Sequence, residues 1–226
     1  MPNSIDNTNG LNICNKELLK CIRENKLYKT GHFHWKNSAR LNWIDTSYFF
    51  CHRDKMNSIV NGINILLSEK EELKNVDYII GLGLKGSIML SYVRFLFPEK
   101  VCSYFPENKN EYNGYELNLF EKNDNGVDIK SIAVLTDVVH SGDTVHTFIK
   151  EVYDKLKHEV VFNVITIIDA TADGNIAEIE GASEIHLFPI TRIKVFDCQG
   201  GRESCKIYTE KLVYVYEYKE DQNESN

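Results

Sequence analysis

Between Ser131 and Thr144 the hydrophobic pattern of the chain changes character three times. Ile132 to Leu135 is an unbroken apolar run that stops at Thr136 and Asp137. Val138 and Val139 follow, then the polar turn His140-Ser141-Gly142-Asp143-Thr144. Beyond it, Val145, Phe148, Ile149 and Val152 recur at helical spacing. This is the pattern of a buried parallel strand, a tight turn and a helix start. The same succession occurs upstream, with a strand at Val76 to Gly81, a loop at Leu82 to Ser87 and a helix at Ile88 to Phe97. Leu18, Leu19 and Ile22 mark an amphipathic helix over Lys16 to Lys26. Met56 to Leu73 carries a longer helical pattern through Ile59, Val60, Ile63, Ile65, Leu66 and Leu67. The order strand 77–81, helix 87–97, strand 101–105, strand 131–136, helix 144–156, strand 160–168 predicts an α/β fold. Its sheet is mostly parallel, with helices on both faces.

The remaining segments fill in the organisation. Val164 to Ala170 reads as a strand ending at Asp169, with a turn at Asp173-Gly174 and a further strand after Gly181. Pro106 to Gly114 is polar and turn-rich, a solvated connection to a candidate strand at Tyr115 to Phe120. Cys205 to Tyr218 alternates polar and apolar residues and reads as a C-terminal β-hairpin, added to the sheet or to a neighbouring subunit. No repeat or linker divides the chain, so residues 1–226 are expected to form a single domain, with 1–12 and 220–226 as loose tails.

Composition narrows the functional classes. A chain of 226 residues can bury one sizeable core, and 42% hydrophobic with 26% charged residues is ordinary for a soluble protein. The net charge of −7 and the lack of a basic stripe argue against nucleic acid as a partner. The opening MPNSIDNTNG is too polar for a signal or transit peptide, and no apolar run approaches bilayer length. A cytoplasmic protein with no membrane partner is expected. The six cysteines lack zinc-ribbon spacing; Cys14 and Cys21 read as small core residues of a helix.

The chemistry-bearing residues lie in the two turns. Ser141, Gly142 and Thr144 suit a phosphate: the glycine lets backbone come close, the hydroxyls donate, and free N–H groups meet the dipole at the helix start. Asp137 at the strand end could hold sugar hydroxyls or a metal-bound water beside that phosphate. Asp143, an anion in such a turn, is expected to face outward as a helix cap. In the upstream turn, Gly83-Leu84-Lys85-Gly86 offers backbone N–H groups and a cation to a second anionic group; the same residues also fit a plain glycine turn with a solvated lysine.

The stretch Ser131 to Thr144 resembles the phosphoribosyl-pyrophosphate (PRPP) signature of type I phosphoribosyltransferases, except that Thr136 stands where a first acid is usual. Leu84-Lys85-Gly86-Ser87 is similar to the pyrophosphate loop of the orotate branch. Gly31 to Ser38 is similar to that branch's opening segment, part of the hood over the base, and the Asp169 region is similar to its base-proximal strand. The resemblance spans about Tyr28 to Val195 and implies the family's α/β fold with a small hood. It implies a magnesium-dependent transfer of ribose 5-phosphate from PRPP to a base, by a homodimer. Thr136, Asp137, His140, Ser141, Gly142, Asp143 and Thr144 would take the 5-phosphate and ribose, with Asp137 holding Mg2+ through water. Gly83, Leu84, Lys85 and Gly86 would take pyrophosphate, and Phe33, Lys36, Asp169 and Ala170 would face the base. Lys109, the one basic residue of the segment that resembles the mobile catalytic loop, would join Asp137 in catalysis. Where the orotate branch has an arginine for the orotate carboxylate, this chain has Ala170, so a base other than orotate is expected, although Arg192 and Lys194 follow in a later segment. The departures at Thr136, Ala170 and the acidic loop also fit a catalytically silent PRPP- or nucleotide-binding module.

Overall fold

The computed structural model of the chain describes residues 8–35, 38–93, 101–104, 129–171, 173–194 and 212–214. Five strands form a wholly parallel sheet: β3 (Tyr78–Leu82), β4 (Val101–Tyr104), β5 (Ser131–Val139), β6 (Val160–Asp169) and β7 (Ala182–Arg192), in the order β4-β3-β5-β6-β7. A second sheet, order β2-β1-β8, joins β1 (Tyr28–Trp35) and β2 (Ser38–Ile44) antiparallel and adds β8 (Leu212–Tyr214) parallel to β1. The helices are α1 (Thr8–Glu24), α2 (Ser47–Cys51), α3 (Arg53–Glu69), α4 (Glu71–Lys74), α5 (Gly83–Val93) and α6 (Asp143–Leu156). The parallel sheet and its flanking helices are those expected from the apolar runs.

Period-two alternation sorts each strand between two cores. Ile79, Ala133, Leu135 and Ile165 pack with α1, α3 and α5 on one face; Ile80, Ile132, Val134 and Val164 pack with α6 on the other. The interior strand β6 is buried at nine of its ten positions, which is why it reads as a nearly continuous apolar run rather than an alternating one. Phe162 of β6 meets Phe148 of α6 edge to face, ring centroids 6.0 Å apart.

Several boundaries differ from the pattern. The segment expected as a tail to residue 12 is helical from Thr8, because α1 lies against α3: a side chain at Gly10 would touch Ile65. Cys14, Leu18 and Cys21 are buried beneath it, and burial pushes both thiols above their ordinary pKa. The long helix expected to Leu73 breaks at Lys70, which is extended (φ −78°, ψ 122°). β5 continues through the polar pair Thr136-Asp137, since Val138 and Val139 still pair with Ile168 and Asp169 of β6. Tyr48-Phe49-Phe50 lies in the short helix α2. Of the expected C-terminal hairpin, Leu212–Tyr214 joins the smaller sheet; the rest, with Pro106 to Gly114 and Tyr115 to Phe120, lies outside the described residues. Among the described residues no helix is long and apolar enough to cross a membrane.

The loop expected at Leu82 to Ser87 is the first turn of α5, entered through Gly83 at φ +67°. That turn presses on the sheet. A Cβ at Gly86 would lie 2.3 Å from the Leu135 carbonyl oxygen, and one at Gly81 2.6 Å from that of Gly86. At Gly83 nothing lies within 4 Å. Gly86→Ala is therefore expected to cost about 2–3 kcal/mol through backbone overlap, a fall in Tm of about 5–10 °C. Gly83→Ala should cost only about 1 kcal/mol, from its backbone angle. Thermal unfolding of both variants checks the ordering.

Candidate functional site

β3 and β5 are neighbours from which the chain departs in opposite directions, β3 through α5 to β4 and β5 through α6 to β6. Open α/β sheets bind ligands at the carboxyl ends of strands where the order reverses in this way. Both turns singled out by sequence open there. Lys85, in the first turn of α5, places its Nζ 2.9 Å from Asp137 Oδ2 at the end of β5. Thr46, between β2 and α2, completes the contact: its hydroxyl donates to Asp137 Oδ2 at 2.6 Å and accepts from Lys85 Nζ at 2.5 Å. Asp137 and Lys85 keep 23% and 32% of their side chains exposed, so the cluster opens to solvent.

The second turn is built as expected in outline. Gly142 stands before α6 with φ +84°, and no side chain caps the helix. Its first backbone bond runs from His146 N to Gly142 O at 2.8 Å, so the N–H groups before it have no partner within the helix, as an anion site at a helix start requires. Ser141 and Thr144 are exposed beside them, and His140 is half-buried. Asp143 is the first residue of α6 and is exposed; its carboxylate makes no cap, contrary to expectation, because Gly142 occupies the cap position. Gly142 also has a packing reason absent from the sequence: a Cβ there would lie 2.8 Å from Ile176. Thr136 is 8% exposed at the end of β5, paired with Thr166 of β6.

Three solved structures share this fold. The orotate phosphoribosyltransferase of Aeropyrum pernix aligns with a TM-score of 0.52 at 14% identity, covering 78% of this chain and 93% of its own. A phosphoribosyltransferase of Corynebacterium diphtheriae aligns at 0.50 and 17%, covering 79% and 95%. The adenine phosphoribosyltransferase of Rhodothermus marinus aligns at 0.50 and 13%, covering 79% and 100%. This chain has the type I phosphoribosyltransferase fold. No family model and no curated protein matches the sequence, and at these identities the likeness is one of fold.

Within that phosphoribosyltransferase fold the base-side residues are placed differently from expectation. Asp169 is fully buried, accepting from Arg192 Nε at 2.6 Å, Thr171 N at 2.8 Å and the Thr171 hydroxyl at 2.6 Å. Its carboxylate is committed inward, and the group that reaches solvent is the Arg192 side chain, 58% exposed, with its guanidinium lying against Gly174. Ala170 is buried, its N–H bonded to Val139 O. Phe33 is buried in the smaller sheet, its ring 5.9 Å from Trp43, so it serves as packing. Lys36 and Lys109 lie outside the described residues. Thr46 and Ile176 were not indicated by the sequence pattern: each reaches the site by packing between distant segments and carries no local motif.

Among the described residues no group of three or more His, Cys, Asp or Glu could cage a metal. Magnesium in phosphate chemistry is commonly held by one or two carboxylates plus substrate oxygens and water. Asp137 fits that mode, since its Oδ1 has no hydrogen-bond partner among the described residues.

Arg192→Met would leave the Asp169 carboxylate buried with only Thr171 as donor. Breaking a fully buried pair costs about 3–5 kcal/mol. Because Arg192 is more than half exposed, the expected loss is nearer ~2 kcal/mol, read by urea unfolding.

Proposed function

We propose that the chain is a magnesium-dependent phosphoribosyltransferase that moves ribose 5-phosphate from PRPP to a nitrogenous base other than orotate. The observation that carries this is the pair of anion-suited helix starts at the ends of neighbouring strands, with Lys85 and Asp137 in contact between them. In this reading, Ser141 to Thr144 hold the 5-phosphate through backbone N–H groups and hydroxyls. Asp137 takes the ribose hydroxyls, and Lys85 with the Gly83–Gly86 backbone takes pyrophosphate. The bond from the sugar to pyrophosphate breaks, a bond to the base nitrogen forms, and that nitrogen's proton leaves to solvent. Positive charge develops on the sugar and negative charge on the leaving group, so catalysis is positioning and electrostatics. Magnesium, when bound, neutralises the departing pyrophosphate.

The argument against orotate rests on charge. Ala170 supplies no cation, and Arg192 beside it is already neutralised by Asp169. Among the described residues beside Ala170, a carboxylate on the base would find no cation that is not already paired. A neutral heterocycle with oxygen or nitrogen acceptors suits the exposed guanidinium better.

Calorimetric titration with PRPP, with and without magnesium, tests the reading. Binding is expected to strengthen with magnesium, and Ser141→Ala and Thr144→Ala should each weaken it about three- to tenfold. These variants are a cleaner probe than any at Gly142, where a side chain is also strained and meets Ile176. Absence of PRPP binding would overturn the proposal. Binding without pyrophosphate release, across a panel of purines and pyrimidines, would assign a sensor module instead, a reading that Thr136 in place of the usual acid favours. Orotate emerging as best substrate by kcat/KM would overturn the charge argument.

We further propose a homodimer, a reading that the Tyr- and Val-rich composition of Cys205 to Tyr218 favours. Light scattering at micromolar concentration is expected to give twice the 26.1 kDa chain mass; a monomer mass would contradict it.

A further inference from the structure

Thr46 stands one residue before α2, where a threonine hydroxyl ordinarily accepts a backbone N–H of the first helical turn. Here it makes no such bond. The adjacent Asp45 takes the Ser47 N–H through Oδ1 at 3.2 Å, and the Phe49 N–H goes to the Thr46 carbonyl. The capping work is done by its neighbour and its own backbone. The hydroxyl is instead aimed at residues far away in sequence, Lys85 and Asp137, and Thr46 is 1% exposed while doing so. It uses its single proton on Asp137 and a lone pair on the Lys85 ammonium.

We propose that Thr46 is the positioning residue of the transfer centre, a pivot that holds Lys85 and Asp137 in place while the contact between them opens for ligand. This rests on the phosphoribosyl reading of the site. Three contacts meet in the cluster, and they differ in what a ligand does to them. A pyrophosphate group competes for Lys85, and a ribose diol competes for Asp137, so the ammonium–carboxylate contact is the one that both ligand groups weaken. Neither ligand group needs to displace Thr46. An ammonium has three donors and a carboxylate about four acceptor positions, so each can keep the hydroxyl and still engage its ligand. The pivot also joins the smaller sheet to α5 and β5, since Thr46 lies two residues after β2.

The test is PRPP titration of Thr46→Val, Thr46→Ser and the pair Thr46→Val with Lys85→Met, each checked by thermal melting. Thr46→Val keeps the shape and loses the hydroxyl, so PRPP affinity is expected to fall about tenfold or more. Thr46→Ser restores the hydroxyl and should return affinity to within about threefold of wild type. In the Lys85→Met background Thr46→Val should add less than about threefold, because a pivot with nothing to hold on one side has lost much of its effect. Should Thr46→Val not fold, Thr46→Ala is read in the same way. Wild-type affinity or tighter binding in the hydroxyl-free variant overturns the pivot, as does an equal loss in both backgrounds. Failure of the wild type itself to bind PRPP overturns the phosphoribosyl reading, which separates the two outcomes.

Discussion

The site depends on how closely the first turn of α5 approaches the sheet. At Gly81 and Gly86 backbone meets backbone, with no room for a Cβ on either side. Any side chain at these positions would lift the helix start off β3 and β5. Lys85 is the residue displaced most directly, since it lies in that turn and reaches 2.9 Å from Asp137 at the end of the neighbouring strand. Gly83 solves a different problem: its left-handed angle turns the chain from strand into helix within one residue. The glycines thus divide the work between turning the chain and seating it.

That approach puts opposite charges together. Lys85 meets Asp137 across the end of β5, and Arg192 meets Asp169 across the end of β6. Asp169 ends β6 and Asp137 lies two residues before the end of β5, and each has a cation from another element. The two pairs are not equivalent. Asp169 is fully buried and further fixed by Thr171, so its pair is a brace between β6, β7 and the turn that follows. Asp137 and Lys85 both remain partly in water, where an ion pair is worth little on its own. A pair of modest strength is one that an anionic ligand and a sugar can exchange without first overcoming a large resting stabilisation.

Much of this was legible in the sequence, for identifiable reasons. Buried parallel strands are continuous apolar runs, so Ile132 to Leu135 and Val164 to Ile168 declared themselves, and the glycines marked both turns. What pattern could not give was the end of β5, because Thr136 and Asp137 look like a strand end while the ladder to β6 continues past them. The first turn of α5 was hidden by its glycines, which read as loop in sequence yet are required by close packing. Asp169 was visible as a strand-end acid, but its commitment to Arg192 depends on the pairing of β6 with β7. Thr46 had no signal at all, since a threonine after a strand and before a helix is read as a cap.

Thr136, which stands where the resembled signature has an acid, follows from the same charge arithmetic. Position 136 is 8% exposed and faces the Thr166 register position, whose hydroxyl is directed to the Asp137 and Ile168 carbonyls. A carboxylate there would be desolvated next to Asp137, and like charges so placed disfavour each other's ionised form. Lys85 can balance one such charge, and the described residues place no second cation in this cluster. With one acid and one ammonium the centre is neutral at rest, and Thr46, itself uncharged, binds both without upsetting that balance. A neutral residue at 136 is therefore the choice consistent with a single lysine, and the neutral Thr136 and the Thr46 hydroxyl belong to one electrostatic arrangement.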